Sequence, residues 1–415
     1  MASYLADIDR IIHPEDEMLL NAITGLQNEG LAKAVYFRQG YEINTTLQSI
    51  LDWHCSTGRD KTNCKVLDFA CGFGRATRFL VAEVNPANVW ASDIYKDAVS
   101  FQKKQFGVNG FESCHAPSKL ACSEKFDLIF VASLFTHLPQ KRFEQWLERL
   151  FNMLSPDGIL AFSVHDEALA SGQKLPKNGF LFVKASESRS LNLEEYGATY
   201  VTEGYVAKAI QRVIKSRWNY KRLPLALCGS HDIYLISRNP MQDFSTFSHT
   251  QPPVGYVDWF TLSSEGILRI GGWAGEHDPA HSITDISISI NQHILAHLTP
   301  DMERADVAKA LNKNHFTQSG WDYSMPGIDP ENQAGDIIEV ILTSTTGKTS
   351  ILHSSTISAA SRPIIETLQH DEDMQKSVQP ETEAYPAADV ISKAPVAPRC
   401  RFLSRLVSAF KSCNR

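Results

Sequence analysis

Asp68, Gly72, Gly74 and Asp93 are the residues of this 415-residue chain whose types and spacing could hold a small charged ligand. The first three lie in Val66-Leu67-Asp68-Phe69-Ala70-Cys71-Gly72-Phe73-Gly74-Arg75, where an apolar run ends in an acid and two glycines follow. Asp93 closes the next apolar run, 25 residues beyond Asp68. Glycines between a strand and a helix let the backbone come close to a ligand. A dinucleotide turn would continue with glycine at position 77, which is Thr77, and a P-loop needs Gly-Lys-Ser/Thr, which does not follow. A carboxylate beside the turn repels a pyrophosphate and suits a ligand with a cationic group. A second carboxylate at the end of the neighbouring strand can accept hydrogen bonds from both hydroxyls of a ribose. A ligand with a ribose, a cationic end and no phosphate matches S-adenosylmethionine.

These residues need a scaffold, and the hydrophobic pattern supplies one. Val66–Phe69, Val89–Ser92, Phe126–Ala132 and Ile159–Val164 read as strands. Helical spacing over Ala76–Val84, Lys96–Phe106 and Gln140–Leu154 alternates with them, and Ser155-Pro156-Asp157-Gly158 reads as a turn. Alternation of this kind predicts an α/β fold with a doubly wound parallel sheet. Residues 166–208 break the rhythm with two short strand-like runs and a helix start at Thr202. After about 250, short alternating runs separated by Gly, Asp, Asn and Pro predict an all-β sandwich. The expected organisation is a helical cap at 1–60, an α/β domain at 61–240, a β-sandwich at 250–358, a disordered linker at 362–398 and a basic amphipathic helix at 399–415.

Four stretches together resemble the class I S-adenosylmethionine-dependent methyltransferases: "VLDFACGFGR", "WASDIYKDAV", "FDLIFVASLFTHLP" and "LSPDGILAFSVHD". The resemblance covers roughly residues 40–240. It implies a Rossmann-like seven-stranded sheet, with S-adenosylmethionine held by Asp68, Ala70, Gly72, Gly74, Arg75, Asp93, Ile94, His115, Ala116 and Ser133. Two positions depart from the family: Ala70 stands where glycine is frequent, and His115 stands where an acid often precedes Ala116. The segment with Trp273, Arg304, Asp306 and Trp321 is similar to small sandwich domains appended to bacterial glycan-building enzymes.

Methyl transfer from a sulfonium needs orientation first, and a general base if the acceptor is a hydroxyl. His137 and His165 are the catalytic candidates, since each follows a strand at the same sheet edge. Asp166 could orient His165, and no metal constellation is evident. His137 could instead only hold its loop, and His165-Asp166 could be a turn. Tyr196, Tyr200 and Tyr205 are candidates for a pocket wall or for lid packing. Arg38 is a candidate to reach the donor from the N-terminal helix, or is a solvated surface residue. The net charge of −7, and Ser133-Leu134-Phe135-Thr136 where base methylators carry Asn/Asp-Pro-Pro-aromatic, exclude nucleic acid as the expected substrate. The expected acceptor is a small molecule or a glycan, methylated at oxygen. The alternative is a non-catalytic cofactor-binding scaffold of a glycan-building complex.

Eight cysteines without a CxxC pair, an acidic N-terminus and no long apolar run predict a cytoplasmic protein. Arg399, Arg401, Arg405, Lys411 and Arg415 face no opposing acid, so the C-terminal segment is expected either to touch the inner face of a membrane or to dock on protein. Oligomeric state is not legible.

Overall fold

The computed structural model describes residues 8–357, apart from 57, 171–172, 187, 189 and 215–218. The linker expected at 362–398 and the helix expected at 399–415 lie outside the described residues. Two helices come first. In α1 (Glu17–Leu26) the Asp16 side chain caps the first turn by accepting from the Met18 and Leu19 amides. In α2 (Glu29–Cys55) Asn28 caps in the same way, accepting from the Leu31 amide.

The central sheet is built from β1 (Val66–Phe69), β2 (Val89–Asp93), β3 (Asn109–Glu112), β4 (Phe126–Val131), β5 (Leu154–Asp166), β8 (Tyr220–Leu227) and β9 (His231–Ser237). Their spatial order is 3-2-1-4-5-9-8, with β1 to β5 parallel and β9 antiparallel to β5. Val66, Leu67, Leu128, Ile129 and Phe130 are fully buried, as continuous apolar strands in a covered parallel sheet should be. The connections are α3 (Thr77–Leu80), α4 (Lys96–Phe106) and α5 (Gln140–Asn152). Strand order reverses between β1 and β4, which places a crevice at their carboxyl ends.

The sheet has nine strands, two more than the seven expected. The additional pair is the hairpin of β6 (Phe180–Val183) and β7 (Ala198–Val201), whose β7 runs parallel to the last residues of β5. Helix α6 (Glu203–Val213) follows it. The turn expected at 155–158 also differs. Ser155–Gly158 lie inside β5 as a bulge, because Phe126 pairs with Leu154 while Leu128 pairs with Ile159.

Beyond residue 250 two antiparallel sheets share one core. The first is β10 (Val254–Leu262), β11 (Leu268–Gly275) and β14 (Gly320–Met325). The second, in the order 13-12-15-16, is β12 (Ile283–Ile290), β13 (His293–Leu298), β15 (Ile337–Ser344) and β16 (Thr349–Thr356). Ile270 and Phe260 from one sheet meet Ile286, Ile288 and Val340 from the other, and Trp321 lies among them. Between β13 and β14 runs the short helix α7 (Ala305–Leu311).

Helix α2 joins the two halves. Tyr36, Phe37 and Phe79 pack with Ile351 of β16, and the Tyr41 hydroxyl meets Thr349. On another side α2 crosses the glycine turn so closely that a Cβ on Gly40 would stand 2.2 Å from the Arg75 carbonyl oxygen and 2.8 Å from the Phe79 ring. Inside a helix, alanine is ordinarily favoured over glycine by about 1 kcal/mol. Here the clash is with backbone oxygen and cannot be relieved by a side-chain rotation. Gly40→Ala is therefore expected to lower the unfolding free energy by roughly 1–3 kcal/mol, the usual cost of overpacking. A urea titration would show this as a lower midpoint at unchanged slope, and an increase in stability would refute the close approach.

Candidate functional site

The chain leaves β1 through a turn that only a few backbone conformations allow. Ala70, Gly72 and Gly74 have φ of 60°, 53° and 81°. In Ala70 this left-handed conformation strains the Cβ, by about 1–2 kcal/mol relative to the right-handed form. The Ala70 amide donates to the Ser92 carbonyl at 2.7 Å, so β2 holds the strained turn in place. The two glycines have different reasons. A Cβ on Gly72 would meet nothing within 4 Å, whereas one on Gly74 would collide with the Phe106 ring at 2.5 Å. Gly72 faces open space, and Gly74 lets α4 pack on the turn.

The crevice, about 210 Å³, is walled by this turn, the end of β2, the loop after β4, α1 and the segment before β7. Of the residues singled out in the sequence, Asp68, Ala70, Gly72, Arg75, Asp93, Ile94, His115, Ser133, His137 and Tyr196 line it together. Gly74, Ala116 and His165 do not.

Asp93 receives backbone donors on both oxygens, Gly72 N–H on Oδ2 at 2.8 Å and Tyr95 N–H on Oδ1 at 3.0 Å. Burial nonetheless keeps its carboxyl above the usual range against those hydrogen bonds. Asp68 is 3% exposed and accepts the Thr77 hydroxyl on Oδ2 at 2.7 Å. Burial pushes it up to about 6; the Thr77 hydrogen bond opposes the rise and the Asp93 charge adds to it. Among the described residues no cationic side chain pairs with either acid. Thr77, which argues against a dinucleotide at the sequence level, thus has a positive task beside Asp68.

His137 sits on the loop after β4, where Ser133 takes φ 61° and donates its amide to Ser163 Oγ. Its ring stacks on Tyr196 with centroids 4.4 Å apart. Nδ1 lies 2.7 Å from the Gly197 carbonyl oxygen. A carbonyl only accepts, which assigns the proton to Nδ1 and the lone pair of the neutral ring to Nε2. Backbone bonds from Gly197 N–H to the His137 carbonyl and from Thr199 N–H to the Thr136 carbonyl sew this loop to the start of β7.

His165 is placed differently from the expectation. Its Nδ1 donates to the Thr199 carbonyl at 3.1 Å, and its Nε2 accepts from His231 Nε2 at 3.2 Å. Burial drives His231 down to about 3, so His231 is neutral at ordinary pH. Hairpin strand β7 covers His165, whose ring stacks on Tyr200. Asp166 does not orient it, and pairs instead with Arg222, which also binds Asp232 and Glu203. Tyr200 is thus behind the site, while Tyr205 reaches Glu144 on α5. Arg38 does not reach the crevice. Among the described residues no cluster of His, Cys, Asp and Glu could hold a metal ion, and no helix is long and apolar enough to cross a membrane.

Several wall residues gave no signal in the sequence. Glu195 lies 3.2 Å from His115 Nδ1 and 3.5 Å from Arg142, bridging the insertion to two other elements. The Tyr95 hydroxyl reaches Ser188 and Ser190 in the same insertion. Each contact joins residues about 50–95 positions apart, which no local pattern encodes.

The methyltransferase-domain family model matches residues 66–158, the segment that carries the turn, both acids and the loop of His137. Malonyl-[acyl-carrier protein] O-methyltransferase of Calditerrivibrio nitroreducens is 28% identical over 103 residues, which are 25% of this chain and 38% of that protein. The chain thus matches well under half the length of that relative. A S-adenosylmethionine-dependent methyltransferase from Clostridium acetobutylicum aligns at 16% identity and a TM-score of 0.34, over 47% of this chain and 91% of its own. The 1,6-didemethyltoxoflavin-N1-methyltransferase of Burkholderia thailandensis aligns at 16% and 0.35, over 55% and 92%. By the family match, residues 66–158 carry a methyltransferase domain.

The raised pKa of Asp68 has a sign that can be tested. An acid with a folded pKa of about 6, above its value near 4 in the unfolded chain, costs no stability below pH 4 and destabilises progressively up to and beyond pH 6. Asp68→Asn is therefore expected to stabilise the protein at pH 7.5 without added ligand, by on the order of 2 kcal/mol. The gain should shrink towards zero at pH 4. Urea unfolding of both proteins at the two pH values checks it; a gain independent of pH would show that Asp68 is not the titrating group.

Proposed function

We propose that the crevice binds S-adenosylmethionine and that the protein transfers its methyl group to a small-molecule or carbohydrate acceptor, at oxygen. One observation carries this reading. Two buried carboxylates stand at the ends of adjacent parallel strands, without a cationic partner among the described residues, around a backbone turn that opens onto free space at Gly72. Asp93 is already fixed by two backbone amides, so its remaining lone pairs suit a ribose diol. Asp68 suits the cationic end of the ligand, whose charge would offset its burial. Arg75, Ile94 and Ser133 complete the walls, and His115 is assigned to the adenine side.

Bound there, S-adenosylmethionine supplies a methyl group already activated on a sulfonium. The protein's tasks are then to orient, to exclude water and to take a proton. His137 is assigned as the general base, because its Nδ1–H bond to Gly197 directs the Nε2 lone pair. Tyr196 fixes the plane of the ring by stacking. Methylation at oxygen agrees with the name of the Calditerrivibrio relative, and the glycan context rests only on the sequence similarity of the segment with Trp273, Arg304, Asp306 and Trp321 to domains of glycan-building enzymes.

Calorimetric titration with S-adenosylhomocysteine tests the binding. The wild type is expected to bind and Asp93→Ala to bind about 10–100-fold more weakly, as loss of hydrogen bonds to a charged acceptor implies. Equal affinity of the two proteins, or no binding, would overturn the reading. His137→Ala separates an enzyme from a scaffold. It should keep S-adenosylhomocysteine affinity within twofold and lower labelled methyl transfer into extracted small molecules and lipid-linked sugars by about 10²-fold or more. Undiminished transfer would remove His137 as the base. No transfer by the wild type would favour the scaffold.

A further inference from the structure

A second cavity, about 360 Å³, lies on the other side of α2. Its walls are α2 (Arg38, Glu42, Thr46), the turn between β8 and β9, residues 251–255, and Trp273 with α7 from the C-terminal region. It does not belong to the crevice. Ile43 faces the crevice, while Arg38 and Glu42 face the second cavity. The Arg75 guanidinium, bonded to Gln39 on α2, stands between them.

Arg38 is the unusual member. It is 4% exposed, yet only Nη1 has a hydrogen-bond partner, the Gly255 carbonyl at 3.4 Å. Its Nη2 has none, and its Nε lies 3.8 Å from Glu42, too far for a hydrogen bond. Trp273 is 2% exposed, and its indole N–H is likewise without a partner. Of the other charges around the space, Glu42 makes only a long ion pair with Arg38 through Nε, Asp306 is held by Arg304, and Lys313 donates to the His277 carbonyl, so the Arg38 Nη2 group stays without a partner. Val254, Val307, Leu311 and Phe316 make the remaining wall apolar. A buried guanidinium with free N–H groups beside an apolar wall is an arrangement completed by an anionic oxygen group on an apolar body.

We propose that this cavity is a second binding site, for a small molecule that carries a carboxylate or phosphate on an apolar body. Arg38 grips the anionic group, the Trp273 N–H donates to it or to a neighbouring oxygen, and the body lies along Phe316 and α7. The site is independent of the donor reading, since none of these residues lines the crevice. Its position ties ligand binding to the seam where α2, the α/β region and the C-terminal sheets meet.

The test uses the full chain, with 4-phenylbutyrate, phenyl phosphate and the neutral 4-phenylbutyramide as calorimetric probes. At least one anion should bind saturably and at least tenfold more tightly than the amide. Arg38→Met should abolish that preference; it removes a buried charge and is expected to fold. Ala310→Trp, an exposed change on α7 at the cavity wall, should block the anion while leaving Arg38 in place. If phosphate alone binds, the ligand is a phosphate; if the carboxylate alone binds, a carboxylate. Equal binding of acid and amide, preference surviving Arg38→Met, no saturable anion binding, or displacement of the anion by S-adenosylhomocysteine would each overturn the proposal.

Discussion

Two carboxylates are buried side by side at the ends of β1 and β2 with no cation among the described residues to offset them, and much of the α/β half is arranged around that cost. Burial favours the protonated form of both acids, and their mutual repulsion adds to it for Asp68. The fold answers with neutral donors only: the Thr77 hydroxyl for Asp68, and the amides of Gly72 and Tyr95 for Asp93. An arginine in place of Thr77 would have been a better stabiliser and would have filled the charge requirement from within. Neutral donors keep the acids ordered and leave the charge to be satisfied from outside. This is the pattern expected where stability is given up for binding.

Helix α2 carries the same logic into the rest of the molecule. One face lies on the glycine turn through Gly40, another on β16 through Tyr36, Phe37 and Tyr41, and a third opens into the second cavity through Arg38. A displacement of α2 by a few tenths of an ångström would be felt at the Arg75 carbonyl, because no side chain separates them there. The C-terminal sheets are therefore not merely appended. They brace the helix that holds the turn that holds the acids.

The strands bearing Asp68 and Asp93 were legible because their apolar runs and glycines are local signals, and so was α4, whose limits coincide with those expected. Nine of the twelve residues assigned to catalysis or cofactor binding line one crevice. The three that do not had local signals with another cause. Gly74 is glycine for packing against Phe106, His165 ends a strand that continues under a hairpin, and Ala116 follows a lining residue without being one. What stayed illegible depended on distant partners. Glu195 meets His115 across 80 positions, and His231 meets His165 across 66. The bulge at 155–158 shows a third kind of failure, since turn residues were recognised but a neighbouring strand took them in.

The hairpin of β6 and β7 places the two histidines differently. By pairing with the end of β5, β7 extends the sheet past the crevice and covers His165, whose two nitrogens are then spent on Thr199 and His231. Gly197, the residue just before the same strand, accepts the His137 Nδ1–H on its carbonyl. One insertion therefore withdraws one imidazole and sets the tautomer of the other. Tyr196, the residue just before Gly197, stacks on that ring and leaves it no rotation out of plane. Two histidines that look equivalent at neighbouring strand ends become a structural ring and a directed one, and the difference comes from the β6–β7 hairpin paired beyond the end of β5.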